Sequence, residues 1–450
     1  MKLSENIIEI PIDEGLLIYH RWFGNPIVVN LTLFDKLKSS NISELPFEFT
    51  EELYSLGFLI ENNSNEYELF KNIAFKNIEP STKGKKIKQL DLIVSEGCNL
   101  GCPHCIYYAG NSRKIDSNSY MSFDTALKSW ETYLITARGN NIEEFEVHFG
   151  GAEPLTNWDL VKLILLNFPN SLKENETINW SINTNVTLVT NEIAKKLGEN
   201  KVIIHTSIDG NKEANDKIRM KLGGQGTFDL ICDKIILLRK YGAEVSDIST
   251  TITDANYDLI NLDFINWLSE FGIKGFGVDI DLVSCASVSS EQATKKITDI
   301  FWKCYELNIE CSGTWMTPFL NIINKDLRTE HVAFCGAVRG QNISVTPKGE
   351  LKLCPYMSTK IGQLNNWSSM FEDNSDFQTL LFERQPSADI TCSGCILEGP
   401  CGGQCHITRE ESKRNNNYNS YNLMCDFYRK VTTTMLTQYC NFNSVHPINI

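Results

Sequence analysis

The stretch Gln89-Leu-Asp-Leu-Ile-Val-Ser95-Glu-Gly-Cys98-Asn-Leu-Gly-Cys102-Pro-His-Cys105 decides the reading. Leu90 to Ser95 is an apolar run of strand length, and three cysteines follow it within eight residues. Three thiolates so close can converge on one metal centre, yet a closed tetrahedral zinc site needs a fourth ligand and usually pairs its cysteines as CxxC. CxxxCxxC is a three-point grip. It can hold three irons of a cubic [4Fe-4S] cluster and leave the fourth open to an exogenous ligand. The open iron is where chemistry can happen.

Outward from this point the chain alternates. Further strand-like runs are Phe145-Phe149, Ile178-Ile182, Val202-Ile208, Val245-Ile252 and Gly275-Leu282, and helical patterns at 123–138, 158–168, 191–197, 228–241 and 259–271 separate them. Six strands alternating with helices predict parallel pairing through right-handed crossovers, an α/β partial (β/α)6 barrel of TIM type whose ligand sites lie at the strand carboxyl ends. Residues 1–78 read as a separate small unit of three strand-like runs (Ile7-Ile10, Leu16-Trp22, Ile27-Asn30) and two helical ones (Leu31-Ser39, Phe49-Leu59). Residues 79–88, with Pro80, Gly84 and four lysines, read as a linker; 89–310 is the barrel core; 311–450 is a loop-rich tail in which glycine, asparagine and cysteine replace the alternation. No internal repeat is visible.

Composition sets the limits. At 450 residues, 42% hydrophobic and 22% charged, the chain is globular, not disordered or collagen-like. Its 56 acidic against 42 basic residues give a net charge of -14, which disfavours nucleic acid or an anionic membrane surface as partner. Met1 to Pro11 carries no secretory pattern and no run is long enough for a membrane span, so a cytoplasmic location is expected. In that reducing compartment fifteen clustered cysteines, an odd count, read as metal binding before disulfides.

With Cys98, Cys102 and Cys105 the chain resembles the radical S-adenosylmethionine (SAM) superfamily, and the likeness continues at each following strand end. Phe149-Gly150-Gly151-Ala152-Glu153-Pro154 is similar to the GGEP-type motif that holds the methionine amino group; glycines admit a close backbone approach and a carboxylate matches an ammonium. Ser181-Ile-Asn183-Thr-Asn185-Val186 resembles the TNG motif near the ribose, with Val186 in place of the usual glycine. Ser207-Ile-Asp209-Gly210, then Asn215-Asp216-Lys-Ile-Arg219 and Gly226-Thr-Phe, resemble the SxDG, DxxR and GxGTFD run of the peptide-modifying branch. The resemblance thus implies SAM contacts at Gly150, Gly151, Glu153, Ser181, Asn183, Ser207, Asp209 and Arg219. His104 stands where the family usually has an aromatic residue, which implies packing beside the cluster.

The tail carries Cys335-x13-Gly349-x4-Cys354, then Cys392-x2-Cys395-x5-Cys401-x3-Cys405, then Cys425. These intervals are similar to the seven-cysteine pattern of the SPASM domain. By that resemblance Cys392, Cys395, Cys401 and Cys425 ligate an outer [4Fe-4S] cluster, and Cys335, Cys354 and Cys405 supply three ligands to an inner one, making three clusters in all. Cys311, Cys285 or the substrate could complete the inner set. Cys392-x2-Cys395 with Cys401 and Cys405 could instead make a zinc knuckle. Metal ligation can staple a segment with too little apolar surface to fold alone.

The resemblance implies reductive cleavage of SAM to a 5'-deoxyadenosyl radical, which abstracts hydrogen from a ribosomally synthesised precursor peptide to form a thioether or carbon-carbon cross-link. A reductant such as flavodoxin or ferredoxin is then a partner. The N-terminal unit is similar to winged-helix modules that bind leader peptides by strand addition; a barrel-capping extension is the alternative. An anaerobic sulfatase-maturating enzyme is the rival reading. Those carry an aspartate after the cysteine equivalent to Cys354, where this chain has Pro355 and Tyr356, although Asp279 or Asp281 could act as a base. A non-catalytic iron-sulfur or zinc protein is the remaining reading, and SAM cleavage separates it from the other two.

Overall fold

The computed structural model describes residues 1–450 except 14, 40–41, 43–44, 109–115, 283–286, 325–326, 387, 389, 415–417 and 443–450. β1 (Lys2–Leu3), β2 (Ile7–Ile12), β3 (Gly15–His20), β4 (Gly24–Val29), α1 (Leu31–Lys38), α2 (Phe47–Ser55), β5 (Leu59–Ile60) and α3 (Glu66–Thr82) make the N-terminal unit. β2, β3 and β4 form an antiparallel sheet, and β1 pairs with β5. The expected linker is in part helix, because α3 starts at its Asn65 cap and runs through Pro80. Ile78, Ser81, Thr82 and Ile87 are buried. Ser81 Oγ meets His331 Nδ1 at 3.0 Å, so a distant segment supplies the packing that the local pattern does not announce.

β6 (Gln89–Ser95), α4 (Phe123–Gly139), β7 (Glu144–Gly151), α5 (Trp158–Asn167), β8 (Thr177–Asn183), α6 (Asn191–Glu199), β9 (Ile203–Ser207), α7 (Lys212–Ile218), α8 (Phe228–Lys240), β10 (Val245–Ile252), α9 (Leu262–Glu270), β11 (Gly275–Ile280), α10 (Ser290–Glu306) and β12 (Glu310–Ser312) follow. Side-chain caps start the helices: Ser122 accepts from Thr125 N at α4, Thr190 from Ile193 N at α6, and Ser289 closes a capping box with Gln292 at α10. β6 to β12 pair in parallel and in chain order. Each new strand adds on the same side, and right-handed crossovers then place every connecting helix on one face of the sheet.

The strand sequences obey that geometry. Leu90, Leu92 and Val94, Phe145, Val147 and Phe149, Trp180 and Ile182, Ile248 and Ile252, and Phe276, Val278 and Ile280 are all buried. The alternate positions, facing away from the helices, are Asp91, His148, Ser181, Asn183, His205, Ser207, Asp247, Ser249, Thr251 and Asp279. Most of these keep solvent-reachable surface. A parallel sheet buried on both faces reads as continuous hydrophobic runs, so this second face is built as the wall of a polar cleft.

The tail contains α11 (Met316–Asn324), β13 (Asn342–Val345), β14 (Glu350–Lys352), β15 (Gly362–Gln363), α12 (Asp376–Glu383), α13 (Glu398–Cys401), α14 (His406–Arg414) and α15 (Tyr418–Phe442). It is therefore richer in helix than the sequence reading allowed. Tyr421, Met424, Phe427, Tyr428, Val431, Met435 and Leu436 are buried along α15 at helical spacing. β13 joins the sheet parallel to β6, and β14 and β15 extend it antiparallel. The ten-stranded sheet is open, with β12 and β15 at its edges. Tail and N-terminal unit pack together: Tyr19 Oη donates to Ile396 O at 3.0 Å, Gly399 N donates to Arg21 O at 3.1 Å, and Arg21 meets Glu398 at 3.5 Å.

Asp91 records the tail's docking. It lies on β6, is 1% exposed, and accepts from Ser344 Oγ of β13 at 2.8 Å. Burial pushes its carboxyl up from 3.8 to about 6, against the pull of Gln89 and Ser344. A raised acid binds more protons folded than unfolded between those values, so stability falls as pH rises through about 6. Asp91→Asn removes that loss. In the metal-free protein the variant should match wild type near pH 4 and exceed it by up to about 3 kcal/mol at pH 8, read from denaturant midpoints.

Candidate functional site

The loop after β6 is held from several sides. Gly101 N donates to Met220 O at 2.7 Å, Tyr108 Oη donates to Glu96 O at 2.8 Å, and His104 Nε2 meets Asp209 at 3.2 Å. Cys98, Cys102 and Cys105 lie close enough to perturb one another electrostatically. Burial, then Glu153 and the other two thiols, push Cys98 up to about 12, although Leu100 N donates to its Sγ at 3.4 Å. Asn185 Nδ2 reaches the same sulfur at 3.7 Å. Burial raises Cys102 too, opposed first by the Arg219 charge. Such thiols are protonated without metal, so loading this triad releases protons.

The motif residues divide into struts and surface. Glu153 is 1% exposed and accepts from Leu155 N at 2.9 Å, Thr184 Oγ1 at 2.7 Å and Asn185 N at 2.8 Å. The carboxylate expected to meet a methionine ammonium therefore ties the end of β7 to the end of β8, while Gly151 and Ala152 keep surface. Gly151 has φ +112, and a Cβ there would stand 2.2 Å from Ser95 O, so only glycine fits that strand crossing. Asp209 is fully buried and receives Arg219 Nε at 2.9 Å, Arg219 Nη2 at 2.8 Å, His104 and Thr251 N at 2.9 Å. Asp209 and Arg219 are thus partners of each other, and His104 hydrogen-bonds Asp209 as well as packing beside the loop. Asp216 accepts from Thr227 N and Phe228 N, which starts α8. Val186, in the place of the family glycine, is buried at φ +55, a region that a β-branched residue seldom enters.

Ser181, Asn183 and Ser207 stand on the face of the sheet turned away from the helices. The same face carries residues that the sequence reading passed over. His148 Nδ1 meets Ser181 Oγ at 2.8 Å, and burial lowers His148 to about 4. His205 pairs with Asp247. Their signal was available: polar residues at every second position of strands that the fold requires to be apolar on the other face. Asp279 accepts from Thr314 N at 2.7 Å and Oγ1 at 2.6 Å, and burial raises it to about 6.

The tail cysteines fall into two groups by the same mutual perturbation. Cys354 and Cys405 each feel Cys335, and Cys354 feels Cys405. Cys401 feels Cys392, Cys425 and Cys395. Burial raises Cys401 to about 12 and Cys405 to about 11. Gln404 Nε2 donates to Cys425 Sγ at 2.6 Å, Gln404 N to Cys401 Sγ at 3.4 Å, and Arg429 to Cys395. Among the described residues no three His, Cys, Asp or Glu side chains already stand in the arrangement that grips a single ion. Two sets of three thiols and one of four, each fed by hydrogen-bond donors, fit thiolate-held iron-sulfur clusters. Cys311 pairs with Phe276 in the strand register, on the helix face, and is hydrogen-bonded to Cys304. It is therefore turned away from the Cys335, Cys354 and Cys405 group. Cys285 lies outside the described residues.

Tyr356 links the first and second groups. Asn183 Nδ2 donates to its Oη at 3.3 Å, its ring meets Tyr107 edge-on at 6.5 Å, and it interacts with both Cys354 and Cys105. Burial raises its hydroxyl to about 12. Tyr356 thus lies between the triad and the inner group.

Comparison with known proteins agrees with this architecture. Residues 92–264 match the model of the Radical SAM superfamily. The radical SAM cyclopropyl synthase TigE of Paramaledivibacter caminithermalis is 24% identical over 417 residues, 91% of this chain and 85% of that one. A cysteine-type anaerobic sulfatase-maturating enzyme of Clostridium novyi is 24% identical over 76% of this chain and 94% of its own. Among solved structures, native anSMEcpe with bound AdoMet has a TM-score of 0.61 at 20% identity, covering 78% of this chain and 99% of that one. SuiB of Streptococcus suis bound to precursor peptide SuiA has a TM-score of 0.54 at 17% identity, covering 92% and 97%. Among the described residues no helix is long and apolar enough to cross a membrane.

Proposed function

From the premise that this chain is a radical SAM enzyme, with the superfamily domain at residues 92–264, we propose that it is a cytoplasmic peptide maturase with three [4Fe-4S] clusters. It installs an intramolecular cross-link in a ribosomally synthesised precursor peptide, with electrons from a flavodoxin or ferredoxin. The observation that carries the reading is that ten cysteines fall into sets of three, three and four whose members lie within electrostatic reach of one another. Cys98, Cys102 and Cys105 hold the cluster that, with SAM, supplies a hydrogen-abstracting radical. Cys335, Cys354 and Cys405 hold the inner auxiliary cluster, and Cys392, Cys395, Cys401 and Cys425 the outer one.

The chain's own residues bind and orient. The backbone at Gly150 to Ala152, with Ser181, Asn183 and Ser207, holds SAM at the strand carboxyl ends. Glu153, Asp209 and Arg219 act as positioning residues, because each is occupied by partners of the chain itself. Asp279 accepts a proton from the peptide side of the cleft. Its value of about 6 leaves it ionised near neutral pH and only weakly basic.

Two observations favour a precursor peptide over a sulfatase. The sulfatase-maturase aspartate position holds Pro355, and the likeness to TigE runs along 91% of this chain. TigE also supports a carbon-carbon outcome. The N-terminal sheet is the candidate leader-binding element; its strands β2 and β4 pack beside α15 and α11, so a leader must reach an edge that these helices leave open.

Anaerobic reconstitution tests the reading. About twelve irons per chain and formation of 5'-deoxyadenosine with reductant are expected. Incubated with a cysteine-containing precursor peptide, the enzyme should yield a product lacking two hydrogens with an internal cross-link. Oxidation of a lone cysteine or serine in a sulfatase peptide, with the precursor untouched, would establish the rival.

A further inference from the structure

Arg384 follows α12 and is 1% exposed, one of the largest fully buried side chains in the protein. Its Nη2 donates to Gly403 O at 2.7 Å and to Gln404 O. Its Nε and Nη1 are buried with no acceptor, and among the described residues no carboxylate pairs with it. Arg219 is compensated by Asp209, Arg138 by Glu176, and Arg429 by Asp426 and the Cys395 sulfur, while Arg339 spends its donors on Ala333 O and Asn321 Oδ1. A buried, uncompensated guanidinium costs several kcal/mol, so a native chain that keeps one holds a counter-charge nearby. Arg409 lies within its electrostatic reach and adds to the positive charge. Tyr421 and the sulfurs of Cys405 and Cys401 are also within reach; the two sulfurs flank the carbonyls it already binds and become anionic when they ligate metal.

We propose that Arg384 is the buried counter-cation and hydrogen-bond donor for the auxiliary iron-sulfur clusters, and that it raises their reduction potential. The inference rests on the cluster assignment above. Cys401 belongs to the outer set and Cys405 to the inner one, and three residues separate them. The guanidinium bonds the carbonyls of Gly403 and Gln404, which lie between these two cysteines in the chain. Its two orphaned donors then find thiolate or cluster sulfur, and its charge offsets the electron each cluster gains on reduction. Net charge and hydrogen bonds to sulfur are the levers that set such potentials. Gly402 and Gly403 both have positive φ, which turns this segment's carbonyls onto the guanidinium.

The test uses full-length protein with Cys98, Cys102 and Cys105 replaced by alanine, so that only auxiliary clusters report. Iron content and an anaerobic redox titration with dithionite, followed by electron paramagnetic resonance, are measured with Arg384, Arg384→Met and Arg384→Lys. Arg384→Met keeps the length of the stem and removes the charge; each cluster still takes one electron from the titrant. The expected result is retention of iron and at least a tenfold loss in the reduction equilibrium, a fall of 59 mV or more for a one-electron couple. Arg384→Lys should recover part of it. Loss of iron in Arg384→Met but not in Arg384→Lys also supports the charge role. Full loading of Arg384→Met with an unchanged potential overturns it, as does equal iron loss in both variants with a lowered metal-free melting temperature, which would make Arg384 a packing element. No iron in the Arg384 parent would overturn the auxiliary-cluster reading itself.

Discussion

Replacing Cys98, Cys102 and Cys105 together by alanine abolishes formation of 5'-deoxyadenosine and removes about four of about twelve irons. The loss of turnover reaches the uncatalysed background, at least ~10⁶-fold. The remaining irons stay because the triad's thiols perturb one another, whereas the tail sets are held by other segments: Cys335, Cys354 and Cys405 on one side, and Cys392, Cys395, Cys401 and Cys425 on the other. Iron and sulfide assays with chromatography of the nucleoside products check both arms. The melting temperature of the metal-free variant should change little, since the three side chains removed are small. As a control, alanine at Cys304 and Cys311 should leave the iron count unchanged, because that pair sits between α10 and the helix face of β12. Persistence of SAM cleavage in the triple variant would remove the open-iron assignment, and loss of all iron would show that the three sets are not independent.

The strands were legible because this sheet is patterned twice over. Apolar positions alternate with polar ones, and each strand ends in a motif whose residues must bend the chain there. Val245-Ile252 was read to the residue. The roles of the motif residues were less legible. Glu153 and Asp209 follow strands and Arg219 follows α7, and in sequence such a charge looks the same whether it meets a ligand or a neighbouring loop. The hydrogen bonds to Asn185 N, Thr251 N and His104 show what these side chains hold within the chain, which the sequence does not. The thiol sets were legible by interval, since ligand spacing is imposed by the metal centre and survives in a tail with a weak hydrophobic pattern. Arg384 was not legible at all: a single arginine among forty-two basic residues shows no sign of burial. The N-terminal helix α3 was missed for a related reason, its packing partners lying some 250 residues away.

Asp209→Ala should be the most destabilising single change at the site. The carboxylate is fully buried and joins the triad loop through His104, the segment after α7 through Arg219, and β10 through Thr251 N. Its removal leaves the Arg219 guanidinium buried without its partner, a loss of roughly 3–5 kcal/mol when one member of such a pair is cut. Arg219→Met alone should cost a similar amount. The double variant should cost clearly less than the two added together, because each single change already breaks the pair. The pH dependence has a fixed sign. Arg219 and His104 hold Asp209 below its ordinary value despite burial, so its stabilisation is fully present above 3.8 and is lost as pH falls toward the folded value. The wild type should therefore lose its advantage over Asp209→Ala in acid, not in base. Hydrogen exchange should quicken at residues 98–105 in the variant, since His104 loses its anchor, and SAM affinity should fall as a consequence. A variant of unchanged stability and exchange that nevertheless fails to bind SAM would make Asp209 a ligand contact, and the strut assignment would be wrong.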